Sequence, residues 1–281
     1  MTVSVVILTL NEEANLPSCL DSVRGWASKI FVVDAGSMDR TCKIAEECGA
    51  TVVEHPFETH SRQWRWALEN LPISTEWVLA MDADQRVTQE LQKEICDLDG
   101  PSLSGIDGIY IKRRQWFREH WIKYGGYYPK YLLKMFRRSK VIIDGRDLVD
   151  HHFYVAGGVM KLNHDLIEAN KKEDNISFWV EKHNRYASKL ALEELHWNKV
   201  PQRPAIKPSL IGNPDQKTLA LKLLWRRLPL YVRPFLYFFY RYILRFGFLD
   251  GKQGAIFHFL QAFWFRLLVD INIEELERVQ R

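Results

Sequence analysis

Cysteine is scarce in this sequence, and its four cysteines include no CxxC pair. Zinc sites and disulfide frameworks need closely or regularly spaced cysteines, so neither is indicated, and we expect reduced thiols in a cytosolic protein. A charged leader with a cleavage site is also lacking, because the N-terminus enters an apolar stretch directly. No secretory signal is therefore expected.

Acidic residues are missing from one long segment, Lys217 to Arg245, although the whole chain carries a net charge of only +4. The segment combines basic side chains with many aromatic ones, and a second apolar stretch, Gly254 to Phe265, follows it. Neither reaches the roughly 18 uninterrupted apolar residues of a membrane span. Basic amphipathic helices with aromatic faces instead favour the headgroup plane of a membrane.

Two other interpretations of this C-terminal segment remain open. Its helices can pack as buried helices against the rest of the chain, which would also require their apolar faces. A nucleic-acid surface would use the same cations, but the apolar content of the segment is too high for it, so nucleic acid is not an expected partner.

Strands and helices alternate in the N-terminal part. Apolar runs of the buried-strand type are separated by segments with helical spacing. The predicted strands are Val3–Leu8, Lys29–Val33, Thr51–Val53 and Trp77–Met81, and the predicted helices are Glu12–Val23, Arg40–Cys48 and Arg62–Leu71. This order predicts an α/β fold with a doubly wound, mostly parallel sheet.

The pattern changes after Leu98. Two further strands, Gly108–Arg113 and Tyr131–Phe136, and a helix, Phe178–Glu194, are predicted. Four prolines between Asn198 and Asp215 then indicate an extended linker. We therefore predict a domain over 1–197, a linker over 198–216 and a basic, aromatic helical region over 217–281.

The most informative motif is Asp82-Ala83-Asp84, which directly follows the apolar run ending at Met81. A strand that stops at two carboxylates presents them at the carboxyl edge of the sheet, where α/β proteins bind ligands. Carboxylate oxygens suit a hard divalent cation whose other ligands are waters and substrate phosphates. The pair predicts diphosphate binding through Mg²⁺ or Mn²⁺, the alternative being a solvated turn.

Polar residues also follow the first two strands. Thr9 and Glu13 come after strand one, and Asp34 ends strand two. At this crevice a carboxylate can accept hydrogen bonds from a base N–H or from ribose hydroxyls. Asp39 is better explained as a cap of the following helix. An Asp-nucleophile phosphatase would also place this pair at a strand end, but Arg86 stands where such enzymes need Thr or Val.

Three segments carry a family resemblance: Val6–Glu13, Val32–Thr41 and Met81–Asp84. In this order and spacing they resemble the inverting family 2 glycosyltransferases of the GT-A fold, and are most similar to the bacterial lipopolysaccharide-core β-1,4-glucosyltransferases. Supporting segments are Gly125–Pro129, Lys134–Arg138, Lys182–Tyr186 and Phe248–Gly251. The resemblance implies a GT-A domain, here followed by a membrane-associating helical region.

The resemblance also implies roles for individual residues. Thr9, Glu13 and Asp34 would contact the nucleobase and ribose of a nucleotide sugar, and Asp82 would lie near the ribose or the donor sugar. Asp84 would bind the metal that bridges the diphosphate. The charge of the leaving diphosphate would be neutralised by Lys182 or Arg185, whose alternative is a solvated helix face.

Inversion needs a general base that removes the proton of the acceptor hydroxyl. Relatives carry a His-Glu pair here, whereas this chain has a run of aspartates, so the sequence departs from the family pattern. We predict Asp150 as the base, with Asp147 as second choice and Asp144 as a further candidate. Arg65 is a second departure, because relatives have Asn at this position.

The resemblance implies transfer of a hexose, from UDP-glucose in most relatives, to a lipopolysaccharide-core or lipid-linked saccharide. The expected partners are a UDP-hexose, a glycolipid or saccharide acceptor and the inner-membrane surface. The expected location is the cytoplasmic face of that membrane, with peripheral attachment. Two alternatives are a polyprenyl-phosphate glycosyltransferase and a non-catalytic scaffold that binds nucleotide sugars.

Overall fold

The structure is a computed structural model that describes residues 1–144, 152–199 and 206–279. Contacts divide the chain into two compact units. The first unit comprises Met1–Arg114 and Tyr131–Lys172, and the second comprises Gln115–Lys130 and Glu173–Arg281. The predicted division of the chain at 197 and 217 stays a prediction, and each unit is described by itself below.

The predicted alternation of strands and helices up to Met81 is confirmed. The strands are β1 Val3–Thr9, β2 Lys29–Asp34, β3 Thr51–Glu54, β4 Trp77–Asp82, β5 Gln85–Val87, β6 Ile106–Phe117, β7 His120–Ile122, β8 Lys130–Arg137, β9 Val141–Ile143, β10 Phe153–Val155 and β11 Gly158–Glu168. The first helices are α1 Leu16–Val23, α2 Thr41–Glu47, α3 His60–Asn70 and α4 Gln89–Asp97. Strand β7 and the end of β6 belong to the second unit.

Helix α1 begins at Leu16, later than the predicted start at Glu12. Pro17 occupies its first turn, where the fixed φ of proline suits a helix start. The backbone before α1 does not form helical hydrogen bonds at these positions, because the amides of Glu12 and Glu13 donate to Thr41 Oγ1 and Asp39 Oδ2. These bonds keep Glu12 and Glu13 in a loop at the edge of the sheet.

The sheet is mixed. Strands β3-β2-β1-β4 are parallel neighbours, and the order continues β8-β6-β11-β5, with β8 antiparallel to β4 and β5 antiparallel to β11. In the parallel part Thr9 is level with Asp34, and Leu8 is level with Asp82. This register brings the polar ends of β1, β2 and β4 to one edge. The predicted α/β fold class is confirmed.

Both faces of the parallel strands are buried, which explains their continuous apolar sequence. Successive side chains point to opposite faces, so Ile7 packs with α1 and α4 while Val6 packs with α3. One layer contains Leu16, Leu20, Leu79, Met81 and Leu91; the other contains Val33, Trp64, Ala67, Val78 and Phe136. These layers fix the strand ends that carry the polar residues.

The second unit is mainly helical. Its helices are α5 Ile176–Lys199, α6 Pro214–Arg226, α7 Val232–Phe239, α8 Gly251–His258 and α9 Phe265–Val279. Short π-helical turns at Tyr240–Leu244 and Phe259–Trp264 and a 3-10 turn at Gly247–Asp250 join the last three. Helices α5 and α6 both extend into the segment predicted as linker.

One helical segment of the described residues, Gly247–Val279, is long and apolar enough to cross a membrane, judged by length and composition. Its mean hydropathy is 1.3, and 39% of the apolar window is buried within the protein. The sequence predicted an apolar stretch that ends at Arg266 and is too short for a span; Asp270 is a further charged residue beyond it. The structure instead continues one helical path through both residues.

Candidate functional site

The carboxyl ends of β1, β2 and β4 bring together three of the predicted site residues. Thr9 and Asp34 lie side by side on adjacent strands, and the hydroxyl of Thr9 donates to Asp34 Oδ1 at 2.8 Å. Asp82 ends β4 on the other side of β1. The predicted convergence of these strand ends is therefore present in the first unit.

Asp34 is fully buried and uses both carboxylate oxygens within the protein. Oδ1 accepts from the hydroxyls of Thr9 (2.8 Å) and Ser37 (2.6 Å), and Oδ2 accepts from the amides of Gly36 (3.0 Å) and Ser37 (2.6 Å). Burial raises the pKa of the Asp34 carboxyl, but these hydrogen bonds outweigh burial and leave the pKa below its ordinary value. Asp34 thus fixes the turn at Gly36, which has a φ of +92°.

Glu13 and Asp39 connect the loops that follow β1 and β2. The Arg40 amide donates to Glu13 Oε2 at 3.1 Å, while the Glu13 amide donates to Asp39 Oδ2 at the same distance. Asp39 Oδ1 accepts from the Thr41 amide at 2.9 Å, but the N-cap residue of α2 is Arg40, which makes no side-chain capping bond, so Asp39 lies one residue before the predicted cap position. The two loops therefore form one hydrogen-bonded structure around the strand ends.

Asp82 is held by a lysine that the sequence analysis did not select as a site residue. Lys134 Nζ, on the neighbouring strand β8, lies 2.9 Å from Asp82 Oδ2. Only 6% of the Lys134 side chain is exposed, compared with 33% for Asp82. A buried ammonium needs a charged partner, so the ion pair with Lys134 fixes one oxygen of Asp82. The Asp82 side chain remains more exposed than that of Lys134. The sequence signal was a single lysine inside the apolar strand around Leu133 and Met135.

Asp84 is contacted by the segment that follows β11. Its Oδ2 accepts from Asn170 Nδ2 at 3.2 Å, and its backbone oxygen accepts from the Ala169 amide at 2.9 Å. The amide oxygen of Asn170 accepts in turn from Asn15 Nδ2 at 3.0 Å. Lys172 Nζ reaches Glu12 Oε1 at 2.5 Å. These polar residues, none of them predicted, fasten the segment after β11 to the ends of β1 and β4.

Glu168 is the last residue of β11. Its carboxylate accepts from Gln85 Nε2 at 2.8 Å and from Arg113 Nη1 at 2.9 Å, and Gln85 Oε1 also accepts from the Asp82 amide. Glu168 therefore connects Arg113 to the turn between β4 and β5. These hydrogen bonds hold the Asp82-Ala83-Asp84 turn in place.

The chemistry of this edge suits a hard divalent cation. Among the described residues no group of three or more His, Cys, Asp and Glu side chains is arranged to hold a metal ion. Two half-buried carboxylates, Asp82 and Asp84, nevertheless stand at the strand end. Mg²⁺ is commonly bound by one or two carboxylates plus substrate phosphates rather than by an all-protein cage. The donor set therefore fits a cation that arrives with a diphosphate.

Lys182 and Arg185 lie on α5, in the second unit. Lys182 Nζ is 2.5 Å from Glu173 Oε1 and 5.5 Å from the centre of the Tyr186 ring. Arg185 pairs with Glu181 one turn earlier at 2.8 Å, and both of these side chains are exposed. Arg185 thus has the solvated pairing that the alternative interpretation describes, while the diphosphate role of both residues stays a prediction.

The predicted bases Asp150 and Asp147 lie outside the described residues, and Asp144 directly follows β9. The sequence analysis did not single out Asp174, which lies in the second unit just before α5. Burial raises its pKa, and the nearby Glu119 charge raises it further. The backbone amides of Glu119 and Arg118 oppose this shift. The available signal was the acidic pair preceding the predicted helix.

A cavity of about 550 Å³ occurs elsewhere in the first unit. Arg65, Arg138, Glu69 and Glu76 contribute its charged side chains. It also includes Thr75, which bonds Ser4 at the beginning of β1. The cavity thus lies at the amino ends of the strands, and Arg65 is not part of the strand-end site.

Comparison with known proteins assigns the family. The model described as Glycosyl transferase family 2 matches residues 4–164, more than half of the chain. The chain belongs to glycosyl transferase family 2, as its three motifs predicted, and the α/β sheet with its carboxylate-bearing strand ends is the part of the molecule that the match covers.

Two curated relatives illustrate the similarity. An uncharacterized glycosyltransferase of Rickettsia felis is 38% identical over 93 residues, which cover 33% of this chain and 32% of that protein. The lipopolysaccharide core biosynthesis glycosyltransferase LpsC of Rhizobium meliloti is 31% identical over 150 residues, 50% of this chain and 52% of that protein. The chain thus spans about a third of the length of the first relative and about half of the second.

Among solved structures, the chain is similar to glucosyl-3-phosphoglycerate synthase from Mycobacterium tuberculosis, crystallised with Mn²⁺, UDP and glucosyl-3-phosphoglycerate. The identity is 29%, the aligned part covers 41% of this chain and 44% of that chain, and the TM-score is 0.32. A superposition this limited supports no conclusion about the present site.

Proposed function

We propose that this protein is an inverting glycosyltransferase that moves a hexose from a nucleotide sugar, UDP-glucose in the first instance, to a lipopolysaccharide-core or lipid-linked saccharide. Membership of family 2 supports the transferase class, and the similarity to LpsC supports a saccharide acceptor. The observation that carries the proposal is the pair Asp82 and Asp84 at the strand end, each oriented by a partner, Lys134 or Asn170.

The donor site is proposed at this edge. Asp84, assisted by Asp82, would hold Mg²⁺ or Mn²⁺, which supplies positive charge to the diphosphate and to the departing nucleotide. Thr9, Glu13 and Asp34 would form the nucleoside side of the site. Because both oxygens of Asp34 already accept hydrogen bonds within the protein, its contribution is to hold the loop that meets the base and ribose.

The transfer requires one proton acceptor. As the acceptor oxygen bonds to the anomeric carbon, the bond from that carbon to the diphosphate breaks, and the hydroxyl proton moves to a carboxylate. Asp150 remains our first candidate and Asp147 our second. Asp144 is the further candidate. Lys182 and Arg185 would stabilise the charge of the leaving UDP.

We further propose that the protein acts while attached peripherally to the cytoplasmic face of the inner membrane through residues 217–281. The acid-free, aromatic composition of Lys217–Arg245 within this region supports attachment to an anionic surface. A polyprenyl phosphate as direct acceptor is the second candidate function, favoured by the same basic and aromatic segment. A non-catalytic nucleotide-sugar scaffold would bind the donor without turnover.

The first experiment is a thermal-shift panel with UDP, UDP-glucose and other nucleotide sugars, each with and without Mn²⁺. A ligand that binds only the folded state at about 100 times its Kd stabilises by roughly 2.7 kcal/mol. We expect a metal-dependent shift with UDP and UDP-hexoses. The absence of a shift with every nucleotide would reject the proposed donor site.

Asp84→Ala is the decisive variant for the metal. We expect it to lower turnover on the order of 10²-fold or more and to abolish the metal-dependent part of the UDP shift, because the cation loses a protein ligand. Asp21→Ala, which removes an exposed carboxylate of α1, is the matched control. Metal dependence that survives in Asp84→Ala would contradict the assignment.

The base is identified by comparing Asp150→Asn, Asp147→Asn and Asp144→Asn. The variant that lacks the base should bind the UDP-sugar normally and lose turnover together with the acidic limb of the pH–rate profile. Full activity in all three variants would reject every assignment made here. Loss of binding as well as turnover would indicate a folding defect, which far-UV circular dichroism detects.

A further inference from the structure

The second unit exposes many large apolar side chains between α7 and α8. We define the apolar face as Phe235, Phe239, Leu244, Phe246, Phe248 and Leu249. Each of these side chains is between 43% and 59% exposed. Soluble proteins rarely leave contiguous apolar patches of this kind in water unless they bind something. The apolar face therefore requires a neighbour.

The apolar face is continuous across the elements that form it. Its rings are linked through neighbouring aromatic side chains rather than scattered singly. The contacts between ring centroids are Phe246–Phe248 at 6.1 Å, Phe248–Tyr242 at 6.3 Å, Tyr242–Phe238 at 5.3 Å, Phe238–Phe263 at 6.3 Å and Phe263–Phe235 at 4.7 Å. One surface thus runs from α7 through the turns before α8.

The charges on this surface have one sign. The chain has no Asp or Glu from Gln216 to Leu249, and Arg245 is exposed within the apolar face. The first acid after it, Asp250, is only 6% exposed and accepts from the amides of Lys123 and Tyr124 at 3.1 and 2.9 Å. The Asp250 carboxylate is therefore buried and does not face the solvent. Exposed cations around apolar side chains complement an anionic lipid surface.

The long helical segment Gly247–Val279 is not arranged as an isolated span. Ala187, Ala191 and Leu195 of α5 pack against Phe265 and Val269 of α9. A membrane crossing by α9 would carry α5 into the hydrocarbon, together with its exposed pair Glu181–Arg185. Charged side chains at the centre of a bilayer are costly unless they face a protein interior or a cavity. An interfacial position avoids this cost.

The apolar face is also joined to a loop. The Gly125 amide donates to the Arg245 carbonyl at 2.9 Å, and Arg241 Nη1 donates to the Gly125 carbonyl at 2.6 Å. The Arg241 guanidinium lies 4.3 Å from the centre of the Tyr127 ring. His258 packs so closely on Gly125 that a Cβ there would lie 2.0 Å from the imidazole. These contacts attach the loop Lys123–Tyr127 to the elements that carry the apolar face.

We propose that the apolar face inserts into the headgroup and upper acyl region of an anionic bilayer, without crossing it, and thereby holds the Lys123–Tyr127 loop at the lipid surface. The occupant is the bilayer itself. The consequence for catalysis, that this loop meets a lipid-linked acceptor where the membrane presents it, rests on the proposed function. The docking itself deepens the membrane attachment proposed above and does not depend on the donor site.

The test is co-sedimentation of the full chain with vesicles of phosphatidylcholine alone or with added phosphatidylglycerol. The triple variant Phe246→Ser, Phe248→Ser, Leu249→Ser should bind anionic vesicles roughly tenfold more weakly or worse, since it removes apolar area from the inserted surface. Leu210→Ser, Ile211→Ser is the matched control, because those side chains are 66% and 95% exposed outside the apolar face. It should bind like the wild type.

Two further measurements keep the test decisive. If the triple variant does not fold, Phe235→Ser, Phe239→Ser on α7 should give the same loss. Alkaline carbonate should release the wild-type protein from cell membranes, whereas retention would show a span and overturn the proposal. Unchanged vesicle binding by the variants would also overturn the proposal. So would a wild-type dimer that is lost in the triple variant while that variant still binds vesicles, because the apolar face would then be a dimer interface.

The docking and the proposed function fail separately. Vesicle binding is measured without nucleotide sugar, and the UDP thermal shift is measured without vesicles. Binding that depends on the apolar face in a protein that responds to no nucleotide would reject the donor site and keep the docking surface. A normal UDP shift in a protein that ignores vesicles would do the reverse.

Discussion

The two units of this molecule differ in how many large apolar side chains they leave exposed. In the first unit Leu79 and Met81 are fully buried, and the carboxylate of Asp82 stands at the strand end. In the second unit Arg233 and Asp270 are 2% and 0% exposed, whereas apolar side chains such as Phe235 (59%) face outward. The first unit keeps most of its large apolar side chains in its core, and the second leaves many of them at its surface.

The comparison is tested most strongly at the buried ions. Arg233 lies 2.5 Å from Asp270 and 2.9 Å from Glu194, so Arg233→Met leaves two buried carboxylates without their cation. We expect the free energy of unfolding to fall by about 3–5 kcal/mol. The control is Arg185→Met, which removes the exposed ion pair with Glu181 and should change the free energy of unfolding by less than about 1 kcal/mol. Urea denaturation measures both, and equal effects would refute the contrast.

A matched pair of leucines tests the apolar side of the comparison. Leu79 is fully buried in β4, and Leu236 on α7 is 49% exposed. Leu79→Ala should lower the free energy of unfolding by about 2–5 kcal/mol, whereas Leu236→Ala should stay within about 0.5 kcal/mol in detergent-free buffer. If Leu236→Ala were as destabilising as Leu79→Ala, the α7 surface would be a core and not an exposed face.

The third prediction concerns pH. Burial, followed by the positive charge of Arg241, lowers the pKa of His258 to about 4. The unfolded chain titrates near 6.5, so it binds more protons than the folded chain as pH falls between these values. Neutral His258 therefore makes its full contribution to the free energy of unfolding above about pH 6.5. That contribution declines as the pH falls towards about 4, by up to about 3 kcal/mol.

Unfolding of His258→Asn measured at several pH values checks this sign. The variant should lose the part of the slope between pH 6.5 and 4 that comes from this side chain, whatever its stability at neutral pH. Tyr127 and Tyr242 also lie against the imidazole, with ring centroids 5.8 and 6.0 Å away. An unchanged slope would mean that His258 is already charged in the folded protein.

The same contrast explains what the sequence could predict. Strands buried on both faces appear as continuous apolar runs, so the ends of β1, β2 and β4 and their residues Thr9, Asp34 and Asp82 followed directly from the pattern. The partners of the acidic pair did not. Lys134 is 52 residues from Asp82, and Asn170 is 86 residues from Asp84. Both contacts depend on long-range chain packing, which local periodicity does not encode.

The C-terminal helices show the opposite limitation. The basic and aromatic composition predicted a distinct region, but the predicted apolar stretch ended at Arg266, whereas the helical segment Gly247–Val279 continues through Arg266 and Asp270. In the structure Asp270 is neutralised by Arg233, and Arg266 lies 5.7 Å from the centre of the Trp225 ring. Charges that are satisfied by tertiary partners do not end a helix, and the sequence alone cannot show those partners.

The hydrogen bonds between the loops after β1 and β2 have a thermodynamic consequence. Asn11, Glu12 and Glu13 each donate a backbone amide to a side chain of the other loop, at 2.7 to 3.1 Å. These loops are ordered by each other before any ligand arrives, so binding there sacrifices little backbone entropy. Calorimetry of nucleotide binding should therefore show a heat-capacity change set by the surface buried, without the additional contribution of coupled folding.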